Sequence, residues 1–183
     1  QDVSGFSGKD ANAAGWLAVA WLSFVVLPWY KVEGGLFSFD WLSQPGAATP
    51  AVLSGLGGRA WLLPLVLPLL AATWLVLRRD LRNLVWAGAA GLIWLAVEGF
   101  SIVHSGWGFS WLATLAGTLG PTQPGMGWGA VLYAVAMLML VATALAARGW
   151  CKGDGFVVSS LLLVIASLVL FVAYPLLTIL SSA

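Results

Sequence analysis

Glu98 and His104 are the residues of this chain whose types invite chemistry where little is expected. They sit in WLAVEGFSIVHSGWGFSW, Trp94 to Trp111, within one of the most apolar stretches. Glu98 is the only acid inside a long hydrophobic run, and His104 is the only histidine. A carboxyl and an imidazole can pass a proton or hold a cation. An ionisable group in hydrocarbon needs a partner or a wet path, so it raises a functional expectation by default. The competing expectation is structural: Glu98 bonded to a neighbouring helix and His104 among the headgroups. Helical geometry favours the second. If the helix runs to Val103, Glu98 lies roughly 8 Å inside its end, at about 1.5 Å per residue. His104, six residues on, then stands about 240° around the helix, on another face. A direct pair requires the helix to break near Gly99 or Ser101.

Other candidate positions are conformational. Pro64 and Pro68 share one face of an apolar segment, and Pro175 lies in another. Each removes a backbone donor and frees a carbonyl one turn earlier, which predicts a kink. The small-xxx-small spacings Ala87/Gly91, Gly125/Gly129 and Ala142/Ala146 predict close helix packing. Cys151 is the single cysteine, so it makes neither an internal disulfide nor a metal cage. There is no GxxxxGKS, no HExxH and no triad-bearing GxSxG, and one histidine cannot supply a bis-histidine haem. The expectation is a non-enzyme with no catalytic residues, no cofactor and no metal.

These residues must be positioned by elements that the composition identifies. Of 183 residues, 61% are hydrophobic and 8% charged, with a mean hydropathy of +0.95. Soluble domains carry about 25% charged residues, so the bilayer is the expected solvent. A net charge of +1 offers no basic stripe for phosphates, which excludes nucleic acid as a partner. The first residue is Gln, and residues 1 to 14 lack the basic start of a signal peptide, so the first apolar run reads as a retained helix.

The fold class expected is all-α and polytopic, a single transmembrane region over 1–183. It has about five spans, at 13–30, 60–77, 84–103, 127–147 and 156–180, each long enough for a hydrocarbon core of roughly 30 Å. LFSFDWL, within 31–59, reads as a short interfacial helix or turn. A re-entrant or interfacial helix is expected near 109–119, with Ser110 as its cap. With five spans, Lys9, Arg78, Arg79, Arg82, Arg148 and Lys152 fall on one side and only Lys31 and Arg59 on the other. The positive-inside rule places the N-terminus in the cytoplasm and the C-terminus outside. Ten of the twelve tryptophans can sit near an interface; Trp21 and Trp94 must face helices or lipid tails.

The end of the chain, KGDGFVVSSLLLVIASLVLFVAYPLLTILSSA, resembles the first transmembrane helix of binding-protein-dependent ABC permeases, best over FVAYPLLTILSSA. Upstream, LAVEGFSIVHSGWGFSWLATL, GMGWGA and ARGWCKGDGFVV resemble the N-terminal extension of the large iron(III)-type permeases of some bacteria. The likeness covers nearly the whole chain but not the permease core. The coupling motif of that core, beginning EAA with a Gly soon after, has no counterpart here. The resemblance implies a transmembrane segment of an importer for ferric iron in a bacterial inner membrane, serving anchoring and assembly. It implies an ATPase subunit and a periplasmic binding protein as partners through the permease core. The alternative expectation is a small accessory or scaffold subunit of a larger respiratory, photosynthetic or transport complex. The bilayer and other membrane subunits are partners on either reading.

Overall fold

The computed structural model describes residues 8–30, 49–103, 106–108, 110–116, 125–173 and 175–176. These residues are mostly helical, and the fold is all-α. Helix α1 spans Gly8–Val25, α2 Ala51–Leu56, α3 Val66–Leu77 and α4 Leu84–Ser101. A two-residue hairpin follows, β1 at Ile102–Val103 pairing antiparallel with β2 at Gly106–Trp107. Then come α5, Ser110–Ala116, α6, Trp128–Ala147, and α7, Gly155–Leu168. The 36–42 segment LFSFDWL and His104 lie outside the described residues, as do 109 and 117–119 of the interfacial segment.

Among the described residues, four helices are long and apolar enough to cross a membrane: Ala60–Leu77, Leu81–Ser101, Trp128–Ala147 and Gly155–Val172. The expected first span, 13–30, is not among them. Its helix begins at Gly8, takes in Lys9 and Asp10, and ends at Val25, where Leu27, Pro28 and Trp29 turn the chain. The expected helix 84–103 ends two residues early, because Ile102 takes up an extended conformation and starts the hairpin.

The expected helix 60–77 is two pieces. Ala60–Leu65 winds as a tighter 3-10 turn containing Pro64, and the α-helix begins at Val66. Pro68 therefore falls in the first turn of α3, where a missing N–H leaves no hydrogen bond unmade. The last helix, expected over 156–180, starts at Gly155. Asp154 caps it, its Oδ1 accepting from the N–H groups of Phe156 and Val157 at 2.9 and 3.2 Å. Past Leu168 it widens into a π turn over Val169–Ala173, just before Pro175, whose absent N–H cannot continue the ladder.

Helix α6 is the axis of the bundle. It packs most extensively against α1 and α4, and its buried side chains include Tyr133, Met137 and Leu140. Two glycines permit the close approaches. A Cβ at Gly88 would stand 2.8 Å from the Met137 carbonyl, and one at Gly129 would meet the carbonyl oxygens of Ser23, Leu27 and Pro28 at 2.9 Å. Of the spacings expected to pack, Gly129 and Gly91 lie at contacts, whereas Gly125 faces open space.

The contacts gather the six expected cations at one end. Arg148 Nε donates to the Arg82 carbonyl at 2.9 Å, and Lys9 Nζ lies beside Gly153, next to Lys152. At the opposite end three backbone segments are woven together. Pro28 bridges to Pro50 and Tyr30 to Met126, while Gly127 and Gly129 donate to the carbonyls of Trp29 and Pro28, both at 2.9 Å.

Candidate functional site

Glu98 sits in the last turn of α4, three residues from its end, at the woven end of the bundle. Both carboxylate oxygens are buried and find no hydrogen-bond partner among the described residues; the same holds for the Trp61 indole N–H. The charges that reach Glu98 come from elements distant in sequence. Arg59, entering the 3-10 turn, attracts it through space, and its own field reaches Tyr30 and Tyr133. The Arg59 guanidinium is not spent on Glu98. It lies over the Tyr30 ring, 4.0 Å from the centroid, a cation–π contact. Burial pushes the Tyr30 hydroxyl above its usual pKa; the Glu98 charge adds to the rise and Arg59 opposes it. Tyr30 is therefore a neutral phenol across the physiological range.

The walls around this cluster are aromatic and firmly tied. Trp29, expected at an interface, is 2% exposed and stands edge-on to Phe24 and Tyr133, at centroid distances of 5.8 and 5.5 Å. Trp61 meets Trp107 of the hairpin edge-to-face at 5.2 Å. The 3-10 turn exposes carbonyls that side chains from two other helices satisfy. Trp94 Nε1 donates to the Trp61 carbonyl at 3.0 Å, and the Tyr133 hydroxyl to that of Leu65 at 3.1 Å. The segment around Pro64, where a kink is expected, thus has its carbonyls held by two neighbouring helices, which opposes use of it as a hinge. Trp21 likewise faces a helix, donating to Thr73 Oγ1 at 3.0 Å.

The structure thus gives Glu98 a company of Arg59, Tyr30 and Tyr133. The helix does break at Ser101, where an encounter with His104 would require it, but His104 lies outside the described residues. No group of three His, Cys, Asp or Glu side chains able to hold a metal occurs among the described residues. Sequence reasoning missed Arg59 and the two tyrosines. One signal pointed to Arg59: a lone acid at an end with only two cations has few places to find its counter-charge. The tyrosines carried none: Tyr30 is brought in by the weave of 28–30 against 126–129, and Tyr133 by the packing of α6 on α4.

Chemically, Arg59 attracts Glu98 through space without a hydrogen bond to its carboxyl, so it eases burial of that group without tying α4 to the chain entering α3. A relay needs a second acceptor along a path, and the described residues at this end supply no other acid. Cys151 lies at the other end, exposed, in a turn where Cys151 and Lys152 both take left-handed backbone angles. No protein-family model, curated protein or solved structure matches this chain.

Proposed function

We propose that this chain is a membrane assembly module: a helical unit closed on its own core that presents α7 to further membrane helices. The observation that carries this reading is the contrast between two spans. Trp128–Ala147 is 56% buried within the chain, whereas Gly155–Val172 is 6% buried. Helix α7 is pinned to α6 only near its start, where Val158 and Leu162 pack on Ala142, Leu145 and Ala146. On the face turned from α6 it carries Ser160 and Ser167, seven residues and about two turns apart. Small side chains on a lipid-facing stripe let a second helix approach closely.

The resemblance to the extension of iron(III)-type ABC permeases gives the module a specific setting: it would anchor an importer for ferric iron in a bacterial inner membrane, with α7 leading toward the transport core. The accessory-subunit reading shares the same geometry, because a self-contained core with one outlying helix suits a docked subunit equally. Helix α1 counts as a fifth span in this proposal. Its 18 residues reach about 27 Å, close to the roughly 30 Å of α6 beside it, and it lies antiparallel to α6. The six cations then lie in the cytoplasm with the N-terminus, and the C-terminus is periplasmic.

Two experiments test this. A photo-crosslinking side chain at Ser167, activated in native membranes, is expected to capture a second membrane helix; capture of lipid alone overturns the assembly role. Co-capture of an ATPase with that helix supports the permease setting, and a respiratory or photosynthetic chain in its place refutes it. Separately, Cys151 is expected to react with a membrane-impermeant maleimide in inverted vesicles and not in intact cells. The opposite labelling reverses the orientation.

A further inference from the structure

At the arginine-rich end, the turns after α3 and α6 enclose a cleft of about 410 Å³ lined by Asp80, Arg82, Asn83 and Arg148. Its shape follows from how the two helices stop. Arg79 takes a left-handed conformation (φ 56°), so the N–H groups of Arg79 and Asp80 return to the carbonyls of Val76 and Leu75 and close α3. The chain then folds back through a 3-10 turn, Leu81–Asn83, toward the end of α6. Arg148 Nε is anchored on the Arg82 carbonyl, and its guanidinium lies 5.9 Å from the Trp86 ring. Arg78 is stacked on Trp74 at 4.0 Å. Both tryptophans are more than half exposed, as rings at the headgroup level are. Leu77, the last residue of α3, is 79% exposed and adds apolar surface at this end of the bundle.

We infer that this cleft binds the headgroup of an anionic phospholipid, one that carries free hydroxyls beside its phosphodiester. The phosphate fits Arg82 and Arg148, whose planar guanidiniums suit paired phosphate oxygens. Basic pockets between membrane helices are the recurrent sites for such headgroups. Asp80 sets the selectivity. One of its oxygens accepts from Asn83 Nδ2 at 2.7 Å, and the carboxylate retains capacity for further donors. A bare phosphate would meet that negative charge with repulsion; a glycerol headgroup meets it with hydroxyl donors.

The test is native mass spectrometry of the full chain in detergent micelles, titrated with dioleoyl phosphatidylglycerol, phosphatidylcholine, phosphatidic acid or inorganic phosphate. Phosphatidylglycerol is expected to be retained above the other two lipids. Arg82→Ala, an exposed position, weakens that retention about fivefold, the effect of one basic residue near a charged headgroup, with the circular dichroism unchanged. Asp80→Asn brings phosphatidylglycerol down to the level of phosphatidic acid. Equal retention of phosphatidylcholine, or undiminished retention by Arg82→Ala, overturns the site. Displacement of the lipid by millimolar inorganic phosphate assigns the cleft to the free anion and overturns the lipid reading. Phosphatidic acid held as well as phosphatidylglycerol by the unmodified chain overturns the role of Asp80.

Discussion

Replacing Gly129 by alanine lowers the stability of the bundle by about 2–3 kcal/mol, the upper part of the range for overpacking a tight contact. The added methyl would face the carbonyl oxygens of Ser23, Leu27 and Pro28, all at 2.9 Å. None of these is the end of a flexible side chain. Relief requires the start of α6 to move away from the end of α1, and that movement lengthens the bond from the Gly129 N–H to the Pro28 carbonyl. Gly125→Ala is the matched control, because nothing lies within 4 Å of its new Cβ. Reversible unfolding of both variants in mixed detergent micelles measures the difference. Equal stabilities would show that the two segments are not in contact.

Glu98→Lys is expected to cost about 3 kcal/mol or more, within the range for leaving a buried charge without its partner. It places a buried cation within the field of Arg59, a like charge. Among the described residues no other acid stands at this end to neutralise the pair, since Asp10, Asp80 and Asp154 belong to the ends of α1, α3 and α7 near the arginines. Glu98→Gln keeps the shape and removes the charge, and is expected to hold stability within about 1 kcal/mol, the size of one hydrogen bond. The same unfolding assay reads both. A Gln variant as damaged as the Lys variant would show that the ionised carboxylate itself secures α4, and a tolerated Lys would place the side chain in water.

The sequence made the helices legible wherever an apolar run had clear punctuation. Trp128 to Ala147 lies between the glycines of GMGWG and Arg148-Gly149, and its helix departs from expectation by one residue. Boundaries failed where tertiary structure overrode the run. Val103 has the apolarity to continue α4, but its backbone pairs with Gly106 instead. Lys9 and Asp10 argue against an early start to α1, yet the helix includes them. Helix α2 was missed, although Thr49-Pro50 before AVLSGL and Gly57-Gly58 after it mark its ends; Thr49 Oγ1 and Ser54 Oγ lie 2.7 Å apart across its first turn. The gathering of cations at one end followed from counting spans. The surroundings of Glu98 did not, because Arg59, Tyr30 and Tyr133 come from three separate parts of the chain and no periodicity links them.

The weave that joins Tyr30 to Met126 also has a consequence in time. Helix α1 finds its principal partner in α6, whose first residue lies about a hundred positions downstream. At 5–20 residues per second of synthesis, α1 waits roughly 5–20 seconds before the first residue of that partner is made. Contacts of such long sequence separation form late and slowly. During that interval the polar first turn of α1 and the carbonyls of its last turn have only water, lipid headgroups or insertion machinery to meet. The nascent chain is most vulnerable to quality-control proteolysis in this window, and the arrival of Gly127 and Gly129 ends it.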